Sequence, residues 1–350
     1  MFSVSQFTDT LQRYRTLSTH RIHALPIVVL MPHSACNCRC VMCDIWKGNK
    51  QSKQLTEADI VSLLDALQKL NTKRVILSGG EALLNRNFFQ LCTILKSKGL
   101  KLTLLSTGMT LYQHASAVAE VIDEVIVSLD GDETRHDEIR NIKGAYAELA
   151  RGVQRLLQLK PTIPVKARCV IHRYNFQFWS EIVHAAKTIG LHGISFLPAD
   201  VSSSAFNRPE PWEENRVESV VIPKEHLPLL HAQLQMLIQN FGPEFETRYI
   251  AESPEKLAKI VQYYKAMHGL ASYPHKRCNA PWVSTVIEAD GTVRPCFFLD
   301  PIGNIREQSL DTILNKTNSI NDRKNLNIET NPTCVRCVCS LNLEPRNHSI

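Results

Sequence analysis

The chain has 350 residues, of which 44% are hydrophobic and 21% charged, and its formal net charge is +6. This composition is typical of a folded protein with more than one hydrophobic core, and it excludes a disordered or fibrous chain. The basic residues are spread along the chain, which argues against a nucleic-acid partner, and no apolar run approaches the roughly 20 residues of a membrane span.

The eleven cysteines are concentrated near the two ends of the chain. The first residues lack the apolar core of a signal peptide, so we expect a cytoplasmic protein whose thiols stay reduced. The N-terminal group comprises Cys36, Cys38, Cys40 and Cys43, and the C-terminal group comprises Cys278, Cys296, Cys334, Cys337 and Cys339. Two such groups in a reducing compartment point to bound metal.

Residues 1–25 are predicted to form a helical extension, and residues 26–200 alternate between β-prone runs and amphipathic helices. The six predicted strands are 27–31, 74–78, 101–107, 124–129, 165–171 and 192–198. Apolar strands separated by helices indicate a parallel sheet. Six βα units are too few for a closed eight-stranded barrel, so we predict an α/β fold with a partial (β/α)6 TIM-like barrel whose functional residues lie at the strand C-termini. A doubly wound sheet is the alternative.

After residue 200 the alternation stops. Residues 201–275 are predicted to be a linker with two helices, at 223–240 and 254–267, and this segment is a candidate cover for the active site. Its aromatic residues either shape a pocket or pack the helices, and we favour packing; they are Trp212, Tyr249, Tyr263 and Tyr264. Residues 276–345 are predicted to be a small cysteine-rich domain with a hairpin that turns at Asp290-Gly291.

The first cysteine group contains a C-x3-C-x2-C pattern, formed by Cys36, Cys40 and Cys43, directly after the first predicted strand. A zinc site would need Cys38 as its fourth ligand, and four thiolates so close together would be strained around one tetrahedral ion. An iron–sulfur cubane takes one thiolate per iron, so three cysteines on a short loop leave one iron open.

This spacing after strand one resembles the signature of radical S-adenosylmethionine (SAM) enzymes. Gly79-Gly80-Glu81 follows the second strand and is similar to the motif that receives the SAM amino group in that family. Glycines allow the backbone to approach a ligand closely, and a carboxylate suits an ammonium group. The resemblance implies a [4Fe-4S] cluster on the three cysteines with SAM beside it, while Cys38 has no family role and is expected to be a bystander.

The resemblance also implies further contacts to SAM at the ends of the later strands. Thr107 would lie near SAM, Ser128 and Asp130 near the ribose hydroxyls, and Arg168 near the SAM carboxylate. Pro198, with Leu197, would flank the adenine, and Met42 occupies the position where the family usually has an aromatic residue against that ring.

The C-terminal pattern resembles the SPASM/Twitch extension that binds auxiliary [4Fe-4S] clusters. Because the cysteines are too few for two clusters, we expect the shorter Twitch form with one cluster on Cys278, Cys296, Cys334 and Cys337. Cys339 is an alternative to Cys337 as ligand. A structural zinc ribbon and a set of free thiols are the other interpretations.

The resemblance implies an oxidoreductase that cleaves SAM reductively to a 5′-deoxyadenosyl radical, which then takes a hydrogen atom from the substrate. We expect the auxiliary cluster to accept an electron, which makes the reaction a net oxidation, and a flavodoxin or ferredoxin to supply electrons. A redox-neutral reaction would need a hydrogen donor such as the thiol of Cys169 or Cys339. We assign no acid–base residue among the candidates His136, His172, Asp132 and Glu138.

The expected substrate is a small-molecule biosynthetic intermediate. The argument is that only about 25 residues precede the first strand, too few for a separate domain that binds a peptide leader. The alternatives are a maturase of ribosomally synthesised peptides, by cross-linking or epimerisation, and a non-catalytic zinc-binding protein with four-cysteine sites.

Overall fold

The computed structural model describes residues 4–205, 208 and 210–348. Residues 1–3 of the predicted N-terminal extension and residues 206, 207 and 209 of the predicted linker lie outside the described residues. The strands are β1 (Ile27–His33), β2 (Arg74–Gly79), β3 (Lys101–Ser106), β4 (Glu124–Ser128), β5 (Val165–Ile171), β6 (Ile194–Pro198), β7 (Ser284–Ile287), β8 (Thr292–Arg294) and β9 (Gly303–Asn304).

All nine strands belong to one sheet in the order β6-β5-β4-β3-β2-β1-β7-β8-β9. Strands β1 to β6 pair in parallel with their neighbours in the sequence, so the six predicted strands and the α/β fold of a partial barrel are confirmed. Parallel strands of this kind bury their apolar side chains beneath the connecting helices. Their C-terminal ends therefore meet on one side of the molecule, where the connecting loops lie.

Helices fill the connections between the strands and most of the region after β6. The α-helices are α1 (Val4–Thr19), α2 (Glu57–Lys69), α3 (Phe88–Lys96), α4 (Leu111–Val121), α5 (Glu133–Arg140), α6 (Ala145–Leu159), α7 (Trp179–Ile189), α8 (Glu214–Glu218), α9 (Leu227–Asn240), α10 (Gly242–Glu246), α11 (Pro254–Met267), α12 (Ala280–Val283), α13 (Leu310–Asn315), α14 (Thr317–Asn325) and α15 (Pro332–Arg336). Short 3₁₀ helices span Ile45–Gln51, Ala82–Leu84 and Lys224–His226. Among the described residues, no helix is both long enough and apolar enough to span a bilayer.

The C-terminal region joins the barrel sheet directly. The predicted hairpin is present, since β7 and β8 pair antiparallel around a turn in which Gly291 has a φ of +88°. The β7 strand also pairs in parallel with β1, from Ile27 opposite Ser284 to Leu30 opposite Ile287. No local pattern in the sequence predicts this pairing, which extends the sheet beyond β1 and brings the hairpin beside the loop that follows β1.

The opposite end of the barrel carries a charged network. Glu124 at the start of β4 forms ion pairs with Arg74 of β2, at 2.8 Å, and Lys166 of β5, at 2.9 Å. The Arg74 guanidinium also contacts the Thr103 hydroxyl of β3. These paired polar groups occupy the N-terminal ends of the strands. The cavity described below lies at the C-terminal ends.

The two helices predicted after residue 200 are present as α9 and α11. Tyr263 and Tyr264 of α11 are fully buried, and their hydroxyls donate to the carbonyls of Ala199 (3.1 Å) and Ile171 (2.5 Å). These two tyrosines therefore pack the helix against the ends of β5 and β6. Tyr249 is partly buried against the same core.

Candidate active site

The predicted iron ligands lie on the loop between β1 and the 3₁₀ helix Ile45–Gln51. The middle of this loop is fixed to the end of α5, because the amides of Arg39 and Val41 donate to the carbonyls of Arg140 and Ile139, both at 3.0 Å. Cys36 is fixed by Asn49, whose side-chain amide exchanges two hydrogen bonds with the Cys36 backbone at 3.0 and 2.8 Å. The loop is therefore held in a defined conformation by protein contacts alone.

The four thiols of the loop lie close together. Cys38 shares hydrogen bonds with Cys36 and Cys40, which raise the pKa of Cys38 and lower that of Cys40; the neighbouring Arg140 also lowers the Cys40 pKa. Burial raises the pKa of Cys43, and the charges of Cys40 and Cys36 add to this effect. The structure thus brings the three predicted ligands together, with Cys38 among them, its sulfur 3.4 Å from the Met109 sulfur.

The three predicted ligands are thiols of the kind that an iron–sulfur cubane takes, one for each of three irons. In the described part of the chain, no three His, Cys, Asp or Glu side chains are placed to hold a single metal ion.

Gly79 and Gly80 pack directly against the start of the cysteine loop. A Cβ atom on Gly80 would lie 2.1 Å from the Ala35 carbonyl oxygen, and one on Gly79, whose φ is +115°, would lie 2.6 Å from the His33 carbonyl oxygen. The next amide, of Glu81, donates to the Ala35 carbonyl at 2.8 Å. Only glycine permits this approach of two backbones, so the motif after β2 supports the loop that carries the thiols.

The Glu81 carboxylate is fully buried and turned toward the end of β3. It accepts hydrogen bonds from the Thr107 amide (2.7 Å), the Thr107 hydroxyl (2.8 Å) and the Ser106 hydroxyl (3.0 Å). Burial raises the pKa of Glu81, and these hydrogen bonds oppose that shift. The Thr107 hydroxyl also lies 3.0 Å from the Asn37 side-chain oxygen in the cysteine loop. Glu81 and Thr107 thus connect β2, β3 and the loop, and the motif faces the cavity through its two glycines.

A cavity of about 710 Å³ opens between the cysteine loop and the C-terminal hairpin. It is lined by Met31, Ser34, Ile45, Lys47, Gly48, Lys50, Gln51, Lys53, Gly79, Gly80, Ser204, Ala205, Arg208, Glu288, Ala289, Asp290, Arg294 and Phe297. An ion pair at 2.8 Å joins Lys53 to Asp290 across its rim. The volume lies within the range of small-molecule sites, and the cavity lies at the C-terminal ends of β1, β2 and β7.

The remaining predicted SAM contacts differ in their exposure to solvent. Ser128 is half-buried at the end of β4, and Arg168 has an exposed side chain on β5, 3.4 Å from the Ser195 hydroxyl. Met42 packs partly buried against the hydrophobic core. Pro198 is buried at the end of β6, where it lines a separate groove of about 70 Å³.

Asp130, the second predicted ribose contact, lies two residues after the end of β4. It is fully buried, pairs with the Arg140 guanidinium and accepts a hydrogen bond from the Val170 amide at 3.3 Å. Its carboxylate is therefore occupied by the protein. The residues that line the cavity do not include Asp130, nor do they include Ser128, Arg168 or the three predicted iron ligands. The ion pair between Asp130 and Arg140 was not predictable from the sequence, because Arg140 belongs to no recognisable motif.

Trp212 packs, partly buried, against the hydrophobic core and also contacts the cysteine loop. Its indole N–H donates to the Asp44 carboxylate at 2.7 Å, and its ring lies between the guanidinium groups of Arg208 and Arg216, 4.3 and 4.4 Å from the ring centre. The Arg216 guanidinium donates to the Val41 carbonyl at 2.5 Å. The described residues at the start of the 201–275 segment therefore cover one side of the loop.

The five C-terminal cysteines also lie near one another. Burial raises the pKa of Cys334, and the charges of Cys296 and Cys278 contribute next. The Cys337 thiol donates to the Cys339 carbonyl at 2.8 Å, so the two alternative ligands are adjacent. The Lys276 ammonium lies beside this group and donates to the Val335 carbonyl at 2.9 Å. Burial lowers the Lys276 pKa, and the surrounding thiolates oppose that shift.

The four candidate acid–base residues are absent from the lining of the cavity. His136 and His172 are buried, and burial together with the charge of Arg140 lowers the pKa of both, that of His172 to about 3. The Asp132 carboxylate accepts from the Arg135 amide at 2.9 Å and so caps α5. Glu138 is exposed on the same helix.

Two family models match the chain in the regions that carry the two cysteine groups. Residues 30–190 match the radical SAM superfamily model. Residues 278–338 match the SPASM model, which describes an iron–sulfur cluster-binding domain.

Curated relatives of the chain act on different substrates. It is 26% identical to the Fe-coproporphyrin III synthase of Methanosarcina barkeri, with 93% of this chain and 84% of the relative covered. It is 24% identical to the PqqA peptide cyclase of Rhizobium meliloti, covering 90% and 80%. It is 23% identical to the sporulation killing factor maturation protein SkfB of Bacillus subtilis, covering 83% of this chain but 65% of that protein.

Solved structures share the fold at low sequence identity. The structure of anSMEcpe with AdoMet and the Cp18Cys peptide has a TM-score of 0.64 at 15% identity, covering 90% of this chain and 89% of that one. Streptococcus suis SuiB bound to its precursor peptide SuiA has a TM-score of 0.61 at 13% identity, covering 93% and 73%.

Proposed function

This chain belongs to the radical SAM superfamily and carries an iron–sulfur cluster-binding SPASM domain at its C-terminus, and we propose that it oxidises an unactivated C–H position of its substrate. The observation that carries the proposal is the loop of Cys36, Cys40 and Cys43, which packs against Gly79-Gly80 and borders the 710 Å³ cavity. Ligands for a cluster and the wall of a binding site thus come from the same two loops.

The N-terminal cysteines would bind a [4Fe-4S] cluster, and the cavity would hold SAM beside its open iron. When bound, the cluster supplies the electron that cleaves SAM to methionine and a 5′-deoxyadenosyl radical, which takes a hydrogen atom from the substrate. The protein's part is to hold the substrate carbon beside SAM and to exclude water. Gly79 and Gly80 would offer backbone carbonyls to the SAM amino group, and Ser128 and Arg168 would contact the ribose and the carboxylate.

The C-terminal cysteines would bind an auxiliary [4Fe-4S] cluster that makes the reaction oxidative. When bound, this cluster would accept one electron from the substrate, which would also give a hydrogen atom to the deoxyadenosyl group and a proton to solvent or a base. Cys278, Cys296, Cys334 and either Cys337 or Cys339 would be the ligands. Burial raises the pKa of Cys339, and the charge of Arg168 on β5 opposes that shift. This proximity supports a position of the C-terminal cysteines next to the barrel.

A small molecule is the substrate class that the cavity supports best. Its volume lies within the range for such ligands, and its rim carries several ammonium and guanidinium groups suited to polar substituents. A peptide is the second candidate, supported by the names of two relatives, SkfB and the PqqA peptide cyclase.

Formation of 5′-deoxyadenosine tests the proposed chemistry. Anaerobically reconstituted protein with SAM and reduced flavodoxin should form 5′-deoxyadenosine, a variant with Cys36, Cys40 and Cys43 changed to alanine should form none, and Cys92→Ala, in the core of α3, should behave as wild type. Product formation by the triple variant would overturn the assignment.

A metabolite extract distinguishes the two substrate classes. If the substrate is a small molecule, the extract should stimulate 5′-deoxyadenosine formation equally before and after exhaustive protease digestion. Loss of stimulation after digestion would instead identify a peptide. A substrate product that has lost two hydrogen atoms supports net oxidation, and one of unchanged mass contradicts it.

A further inference from the structure

A buried ion pair connects the cysteine loop to the end of β4. Arg140 is the last residue of α5, and its side chain is 8% exposed, while that of its partner Asp130 is fully buried. One guanidinium nitrogen of Arg140 lies 3.5 Å from the Cys40 sulfur. The Arg140 carbonyl also accepts a hydrogen bond from the Arg39 amide, at 3.0 Å. Arg140 therefore contacts the loop twice, once through its backbone and once at a predicted iron ligand.

Stability alone is a poor explanation for this pair. Removing a guanidinium and a carboxylate from water is costly, and a buried ion pair often contributes no more than apolar residues of the same size. The Arg140 Nε atom is buried without a hydrogen-bond partner among the described residues, as are the Nε2 atoms of His136 and His172. The fold thus keeps buried nitrogen atoms without hydrogen-bond partners on Arg140, which contacts the Cys40 thiol, and on two histidines near Arg140.

The groups around the guanidinium leave its charge directed at the thiol. Burial and Arg140 itself hold the pKa of His136 and of His172 below the usual range, so both imidazoles are neutral at physiological pH. The other charged neighbour is the Asp130 carboxylate, which pairs with the guanidinium and opposes its lowering of the Cys40 pKa. Arg140 and Asp130 therefore form a fixed dipole whose positive end meets Cys40.

We propose that Arg140 is a positioning residue for the N-terminal iron–sulfur cluster: it donates an N–H to the Cys40 thiolate, and Asp130 holds the guanidinium in place and partly offsets its charge. This rests on the proposed function, which places a cluster on Cys40. A positive group and an N–H···S hydrogen bond both stabilise the reduced, more negative cluster, and therefore raise its reduction potential. Arg140 and Asp130 together therefore set the reduction potential at which the cluster accepts the electron that cleaves SAM.

Redox titrations followed by electron paramagnetic resonance test the proposal on the full chain. The N-terminal cluster is identified as the signal that changes when SAM is added. Arg140→Gln should shift its midpoint potential to more negative values, and Asp130→Asn should shift it to more positive values. Arg140→Lys, which keeps the charge, should lie close to wild type. A residue with a merely structural role would not produce shifts of opposite sign.

Arg74→Gln is the matched control, because Arg74 pairs with Glu124 at the opposite end of the barrel, and it should leave the potential unchanged. If Arg140→Gln loses the cluster, the other two variants test the proposal. It is supported if Asp130→Asn has a more positive midpoint potential and Arg140→Lys has the wild-type potential. Unchanged or same-sign shifts with full iron content would overturn the proposal. A wild-type protein without a SAM-sensitive signal would instead contradict the proposed function itself.

Discussion

The thiols of the cysteine loop are positioned by residues that lie far from them in the sequence. Gly80 packs against Ala35, Thr107 reaches Asn37, and Trp212 bonds to Asp44, the residue after Cys43. Each contact fixes a different part of the loop. Loss of any one should therefore affect how the loop holds its cluster before it affects the stability of the whole barrel.

Gly80→Ala should remove the N-terminal cluster. The added Cβ would lie 2.1 Å from the Ala35 carbonyl oxygen, a backbone atom that moves only if the loop moves. After reconstitution the variant should hold about four irons where wild type holds about eight, with unchanged circular dichroism. Gly242→Ala is the control, because a Cβ there meets no atom within 4 Å. Full iron content in Gly80→Ala would contradict this role.

Trp212→Phe should make the N-terminal cluster more labile. The substitution keeps an aromatic ring between Arg208 and Arg216 but removes the hydrogen bond to Asp44. A hydrogen bond to a charged group contributes about 1.5–3 kcal/mol, so iron release to a chelator should accelerate by about 10- to 100-fold. Trp179→Phe, at the fully buried first residue of α7, should lower the melting temperature with no specific effect on iron release. Equal release rates in wild type and Trp212→Phe would exclude a role for this contact.

At the level of elements, α2 connects the barrel to the C-terminal region. Thr56 and Asp59 form the capping box at its start, as the Thr-x-x-Asp pattern of the sequence predicts. Asp59 also accepts two hydrogen bonds of 2.9 Å from the guanidinium of Arg306, beyond β9. The sequence shows the cap because it is a local pattern, but not the ion pair, whose partners are 247 residues apart.

Asp59→Ala should destabilise the fold by about 1–2 kcal/mol at neutral pH, because it removes the N3 half of the capping box and both hydrogen bonds from Arg306. Burial alone would raise the pKa of Asp59, but hydrogen bonds from Arg306 and Thr56 outweigh it and hold the pKa below its usual value. A lowered folded-state pKa stabilises the protein above the unfolded pKa of about 3.9, and this part is lost as the pH falls through the folded value.

Denaturant unfolding at neutral and acidic pH measures this difference. The gap between wild type and Asp59→Ala should narrow as the pH falls below about 4. Glu57→Ala, at an exposed position in the same first turn, should change stability little. A gap that is the same at both pH values would show that the carboxylate charge is not involved.

At the level of the whole molecule, the alternation of strands and helices predicted the barrel, because each βα unit carries its own local pattern. The parallel pairing of β7 with β1 was not predictable, since it joins segments about 250 residues apart and leaves no local pattern. The same reason determines which residues of the site were predictable. The cysteines and glycines belong to short sequence motifs, whereas Arg140 and Trp212 act through contacts that exist only in the folded chain.

The β7–β1 pairing also places the C-terminal hairpin across the cavity from the cysteine loop, where Asp290 meets Lys53. Both cysteine groups consequently border one barrel. In the proposed function, these groups bind two separate iron–sulfur clusters, one for SAM cleavage and one for electron acceptance.

Iron and acid-labile sulfide after anaerobic reconstitution test that claim most directly. Wild type should hold about eight irons, and the variant with Cys36, Cys40 and Cys43 changed to alanine should hold about four. About four irons in wild type and about none in the variant would contradict the account, because the C-terminal cysteines would then bind no cluster.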